Sequence, residues 1–145
     1  IEAAVTNTAT VSGTGITPVT AAETVNAEAA PNLAITKSVS PVPVTENGTL
    51  TYTFRIQNYG SVAATNTTGV VITDTFAPVL NNLTAALNGT AWTAATDYTY
   101  NEATGTFSST AGAITVPAAT YTQDSTTGAW VVTPGESTLV ITGTV

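Results

Sequence analysis

The chain has no cysteine, histidine or methionine in 145 residues, and its only basic residues are Lys37 and Arg55. Without histidine and cysteine it lacks the commonest general base, the usual zinc ligands, thiol nucleophiles and disulfides. A serine triad would lack its histidine, and nothing in the sequence brings two acids together as a glycosidase requires. We therefore expect no enzymatic activity, no cofactor and no metal site.

Charge is scarce and mostly of one sign. The formal net charge is −7 and only 8% of residues are charged, so neither nucleic acid nor an anionic membrane surface is an expected partner. No segment approaches the ~20 consecutive apolar residues of a membrane-spanning helix, and the sequence does not open on a leader-like segment. With little for oxidants to attack, this composition suits a secreted protein of the cell surface or extracellular space.

Threonine, alanine and valine dominate, and short alternating runs separated by Gly, Pro and Asn recur along the chain. In the clearest run, 50–58, apolar residues alternate with polar ones, so Arg55 is expected to face solvent. The apolar residues of that run are Leu50, Tyr52, Phe54 and Ile56. Other strands are predicted at 33–39, 70–74, around 92, and at 98–100, 113–116 and 137–145, whereas 81–127 is poorly patterned. The turn spacing predicts an all-β, immunoglobulin-like β-sandwich spanning 32–145.

The first residues form a separate unit, 1–31, with strand-like stretches at 5–11 and 18–25 and a linker after them. Two short strands bury too little surface to be stable alone. The sequence therefore predicts that this unit docks on something else.

From Leu33 onward the chain resembles the bacterial and archaeal surface-repeat family called domain of unknown function eleven, an immunoglobulin-like module found in tandem. The matching pieces are 35–37, Gly48, Tyr52, the turn at 58–60 with Ala63 and Ala64 after it, and 71–74 followed by Pro78. The resemblance implies a closing strand of the form Asn-Thr-Ala-Thr-Val at the end of the module. In this sequence that signature lies at 7–11 instead.

A sandwich without its closing strand exposes unpaired backbone and an open core. We expect the N-terminal segment of a neighbouring identical copy to fill the gap by donor-strand complementation, giving a head-to-tail homopolymer. The same chain is less suited, because 26–32 spans at most about 25 Å when extended, and we expect the long axis of the domain plus the path around its end to be longer. The predicted interface residues are Val5, Asn7, Ala9, Val11, Val19 and Val25. The alternative is that the sequence is one repeat of a long tandem adhesin or surface-layer protein.

Strand parity places Lys37, Asp74 and Asn7 on core-facing sides. These residue types are similar to those that form spontaneous isopeptide bonds in surface sandwiches of Gram-positive pili. By that resemblance, Lys37 attacks the Asn7 side chain while Asp74 moves protons and ammonia leaves. The alternative is an ordinary ion pair between Lys37 and Asp74, with Asn7 hydrogen-bonded to backbone.

The aromatic residues leave one further function open. Trp92, Trp130 and the tyrosines are candidates for a carbohydrate-binding platform, although packing in the core or an interface is the usual role of aromatics in a sandwich.

Overall fold

The computed structural model describes residues 4–26 and 29–145, with the side chains of residues 4, 5, 25 and 26 left out of the description. The chain divides into two compact units, Ile1–Ala30 and Pro31–Val145. In chain order the strands are β1 (Ala4–Gly13), β2 (Ile16–Asn26), β3 (Leu33–Ser40), β4 (Thr49–Asn58), β5 (Thr73–Thr75), β6 (Asn81–Leu87), β7 (Thr90–Ala91), β8 (Tyr98–Asn101), β9 (Thr106–Ser109), β10 (Thr120–Gln123), β11 (Trp130–Thr133) and β12 (Gly135–Thr144).

The first unit is an antiparallel hairpin of β1 and β2. Its tight turn runs through Gly13 and Gly15, and Gly15 has a positive φ of 79°, a conformation that suits a residue without a β-carbon. The described side chains of both strands are exposed. A hairpin of this kind has no core of its own.

The second unit is all-β and built of antiparallel sheets, an arrangement consistent with a β-sandwich. The larger sheet has the order β3-β4-β12-β6-β7, and the smaller one has the order β5-β9-β8. The strands β10 and β11 form a separate two-stranded hairpin. The part of the chain that the structure describes contains no helix of the length and apolarity needed to cross a membrane.

The core lies between the two sheets of the second unit. Alternation along β4 buries Leu50, Tyr52, Phe54 and Ile56, each at most 7% exposed, which confirms the pattern inferred from the sequence. The smaller sheet contributes Phe107 and Tyr98, and Phe76 packs against Tyr52 with the rings tilted and their centroids 4.8 Å apart. Arg55 faces outward, as predicted, and its Nη2 donates to Glu136 Oε2 at 2.6 Å.

The fully buried Asn58 fastens the beginning of β3 to the loops at that end of the sandwich. Its Oδ1 accepts hydrogen bonds from the backbone N–H groups of Asn32 and Gly60, each at 2.9 Å. Its Nδ2 donates to the carbonyl oxygens of Val62 and Pro117, at 2.7 and 3.0 Å. One buried amide therefore satisfies four backbone groups.

Several strand predictions need correction. The segment 70–74 is a strand only from Thr73, and 113–116 is not a strand but meets Ala64 through a single bridge at Val116. Trp92 follows β7 rather than lying in it. The strands β6, β9, β10 and β11 were not predicted. Thr, Ala and Ser, which fit either face, weaken the alternation of β6 and β9, and β10 and β11 have no buried face that alternation could reveal.

Candidate functional site

The edge strand β3 has a core-facing side that the rest of the second unit covers only in part. Leu33, Ile35, Lys37 and Val39 lie directly opposite Asn58, Ile56, Phe54 and Tyr52 of β4, and directly opposed residues share a face of the sheet. These β4 residues are at most 7% exposed, whereas Leu33, Ile35 and Val39 are 37%, 54% and 39% exposed. All eight residues of β3 are exposed. The strand therefore presents core residues to solvent.

A groove runs beside this partly covered face, between β3 and the segment leading into β5. Its volume is about 170 Å³. It is lined by Leu33, Ala34, Ile35, Ile56, Val70, Val71 and Ile72. In the described residues no strand pairs with the free edge of β3, which borders the groove, or with that of β5, which follows the groove's other wall at 70–72. The groove is therefore apolar and flanked by unpaired backbone groups. An edge of this kind can accept an added strand.

The predicted pair of Lys37 and Asp74 lies beside this groove. Lys37 Nζ contacts Asp74 Oδ2 as an ion pair and lies 4.9 Å from the ring centroid of Tyr52, with Phe54 and Phe76 within 5.6 Å. The Lys37 side chain is 41% exposed, so it is half-covered rather than buried as parity predicted. The Lys37 side chain stays partly exposed because the core-facing side of β3 is only partly covered.

Asp74 is held in place by its own strand. Its Oδ1 accepts the Thr75 N–H at 2.8 Å, and its side chain is only 18% exposed. Oδ2 is buried, and although Lys37 Nζ touches it, no N–H or O–H among the described residues is aligned to donate a hydrogen bond to it. The ion pair is the contact that balances this charge, and one acceptor site of the carboxylate stays open.

The hairpin of the first unit is amphipathic. The register pairs Asn7 with Glu23, Ala9 with Ala21 and Val11 with Val19, which puts these residues on one face, while threonines fill the other. Val11 and Val19 are each 62% exposed. Val5 is paired with Val25, and the side chains of these two predicted interface residues lie outside the described ones. The predicted set thus follows one face of the hairpin.

Asn7 is exposed on this face, in the first unit, whereas Lys37 and Asp74 belong to the second. The crosslink among the three therefore stays a prediction. The exposed residues of β3 were not named as interface residues from the sequence. The sequence does contain a signal for them. Leu33, Ile35 and Val39 alternate along one side of 33–39, and Lys37 takes the fourth position on that side.

The aromatic residues do not form a common platform. Trp92 packs on Tyr98, with ring centroids 6.5 Å apart, and burial raises the pKa of Tyr98. Tyr98 and Tyr100 border an open cleft of about 660 Å³, but their hydroxyls donate to the carbonyls of Leu83 and Leu80. Trp130 is 65% exposed on the separate hairpin of β10 and β11. The rings therefore serve mainly packing.

Within residues 4–26 and 29–145 no three metal-binding side chains of the His, Cys, Asp or Glu type come together. Comparison of the chain with protein-family models, with curated proteins and with solved structures gives no match. The resemblance to the surface-repeat family stays a prediction based on the residues quoted for it.

Proposed function

We propose that the protein is a structural subunit of an extracellular, pilus-like filament assembled head-to-tail by donor-strand complementation. The β1–β2 hairpin of one copy fills the groove beside β3 of the next copy and completes an immunoglobulin-like sandwich. Donor and acceptor surfaces are different patches of the same chain, so the contact repeats and builds an open fibre.

The single observation that carries this proposal is the partly uncovered core side of β3. Leu33, Ile35 and Val39 are between 37% and 54% exposed while their partners on β4 are buried. Exposed apolar surface that continues a buried core marks an interaction site. Burial of apolar area stabilises by roughly 25 cal/mol per Å², so a strand laid over this face stabilises both the donor and the acceptor.

The hairpin supplies the matching surface. Its Val11, Val19, Ala9 and Ala21 form an exposed apolar face on two long strands, and a two-stranded hairpin is at best marginally stable in water. Transfer of that face into the groove removes both exposed surfaces from water. Insertion into a neighbouring copy needs no return of the chain over 26–32, which spans at most about 25 Å when extended.

Mixing two disabled variants tests the proposal on the full-length chain. Val11→Asp places a charge on the donor face and leaves the groove intact, whereas Ile35→Glu places a charge in the groove and leaves the donor hairpin intact. Each variant alone is expected to stay monomeric by light scattering, while the wild type forms thin filaments in electron micrographs. A mixture of the two is expected to stop at a one-to-one dimer.

Matched controls lie one residue away on the opposite faces. Thr10→Asp changes the threonine side of β1, and Thr36→Glu changes the outer side of β3, opposite Arg55. Both are expected to form filaments like the wild type, with β-sheet circular dichroism unchanged in all four variants. Wild-type chains that remain monomers at high concentration would refute self-assembly. That result would favour the alternative, a module of a longer tandem surface protein.

A further inference from the structure

We infer that docking of the donor hairpin leads to an isopeptide bond between Lys37 of the acceptor and Asn7 of the donor, so that the filament is covalently continuous. This inference rests on the proposed filament and specifies the chemistry at its joint. It assigns three roles: Lys37 is the nucleophile, Asn7 supplies the carbonyl carbon, and Asp74 moves the protons.

The amine is already placed against its proton acceptor. Lys37 Nζ contacts Asp74 Oδ2, and the faces of Tyr52, Phe54 and Phe76 surround it at 4.9 to 5.6 Å. Thr75 N–H fixes the other carboxylate oxygen at 2.8 Å, which keeps Oδ2 aimed at the amine. In the isolated subunit water still reaches Lys37, whose side chain is 41% exposed. A docked strand removes this water, and the ion pair then loses the hydration that stabilises its two charges.

The third group is the side-chain amide of Asn7, and its position follows from matching the residue patterns of β3 and β1. The core side of β3 reads Leu33, Ile35, Lys37, Val39, and the matching face of β1 reads Val5, Asn7, Ala9, Val11. If β1 runs antiparallel to β3 with Asn7 beside Lys37, the other three apolar positions of β1 fall beside Val39, Ile35 and Leu33. If it runs parallel, Val11 falls beside Pro41, beyond the end of β3.

The groove favours the same direction. Its apolar lining lies on the Leu33 side of the ion pair, along Leu33, Ile35, Val70 and Ile72. Antiparallel docking places both Ala9 and Val11 over this lining, whereas parallel docking places only Val5 there. We therefore expect β1 to lie antiparallel to β3, with Asn7 at the Lys37–Asp74 pair.

The reaction balances without any further reactant. On docking, the proton of the Lys37 ammonium passes to Asp74, and the neutral Nζ attacks Cγ of Asn7. Asp74 passes this first proton to Nδ2, takes the second proton from Nζ as the bond from Cγ to Nδ2 breaks, and then gives it to the departing ammonia. One amide bond forms, one is broken, and ammonia leaves as ammonium. Nothing is oxidised or reduced.

Denaturing gels and intact masses of assembled filaments test the bond. We expect wild-type filaments boiled in detergent to run as a ladder of covalent multimers, with one ammonia lost for each bond. Lys37→Arg keeps a cation beside Asp74 but removes the nucleophilic amine, and Asn7→Val removes the amide and leaves the other residues of the donor face unchanged. Both variants are expected to form filaments that dissociate into monomers when they are boiled in detergent. Thr8→Val, on the opposite face of β1, is the matched control and is expected to keep the ladder.

The role of Asp74 has its own readout. Asp74→Ala is expected to form filaments in which the ladder develops about 100-fold more slowly or not at all, since general acid–base catalysis contributes at least that factor. Wild-type filaments that boil down to unmodified monomers would overturn the crosslink while leaving the proposed assembly intact. Monomers that have lost water rather than ammonia would overturn it too, because they would indicate a bond between Lys37 and Asp74 of one chain.

Discussion

β12 and β3 both pair with β4, and both alternate apolar with polar residues, yet only β12 is buried. Leu139 and Ile141 of β12 are 0% exposed, whereas Ile35 of β3 is 54% exposed. β12 also pairs with β6, while β3 has one paired edge in the described residues. Alternation in the sequence therefore indicates which face of the sheet a residue lies on. Whether that face is buried depends on the second sheet packed against it.

The largest expected effect contrasts these two strands directly. In a monomeric Val11→Asp background, Leu139→Ala is expected to lower the free energy of unfolding by about 2 to 5 kcal/mol, because it leaves a cavity in a closed core. Ile35→Ala is expected to lower it by less than about 1 kcal/mol, because its side chain is already half in water. Urea unfolding followed by circular dichroism measures both. Equal losses would mean that β3 is covered in the monomer.

A smaller effect is expected at the end of the same pair of strands, where Asn58 joins β4 to the start of β3. Asn58→Ala leaves the N–H groups of Asn32 and Gly60 and two carbonyls without their partner. We expect a loss of about 2 kcal/mol or more in the same unfolding measurement. Asn66→Ala, at an exposed asparagine in a short 3-10 turn, is the control and is expected to change stability by less than about 0.5 kcal/mol. Similar values for the two variants would show that the buried network contributes little.

The smallest effect concerns the solvent face of β4 and β12, where Arg55 and Glu136 form an exposed pair. The hydrogen bond from Arg55 lowers the pKa of Glu136. The pair therefore contributes above the ordinary glutamate pKa of about 4.3, and the contribution is lost as the pH falls through the lowered pKa of Glu136. Glu136→Gln is expected to be slightly less stable than the wild type at neutral pH and equal to it in strong acid. Unfolding curves measure this difference in the free energy of unfolding between the wild type and Glu136→Gln. A difference that did not decrease as the pH falls would contradict the assignment.

The strands that could be predicted from sequence are those with large residues on one side. β4 was clear because Leu50, Tyr52, Phe54 and Ile56 alternate with polar residues, and the two strands of the N-terminal unit were recognised as short alternating stretches. β6 and β9 were missed because their buried positions include Ala85 and Ser109, which leave no contrast with the threonines beside them. Small side chains hide the period of a strand.

The candidate site was predictable in part. Parity alone put Lys37 and Asp74 on inward sides, and the structure brings them into contact. Parity could not give the exposure of Leu33 and Ile35, since burial depends on how far the opposite sheet extends, and that is fixed by residues distant in sequence. The proposed docking of Asn7 is harder still to predict from the sequence, because it would involve a second copy of the chain.

The position of Asn7 near the start of its hairpin has a mechanical consequence. In the proposed fibre, a pulling force enters a donor subunit's arm at Pro31 and leaves through the bond at Asn7, so β2 and most of β1 lie on the load path. Because this force acts on adjacent ends of the two antiparallel strands, their residue pairs separate one at a time. Residues 8–30 then act as spare length of up to roughly 80 Å per joint, which lets a stretched fibre yield and recoil without breaking a covalent bond.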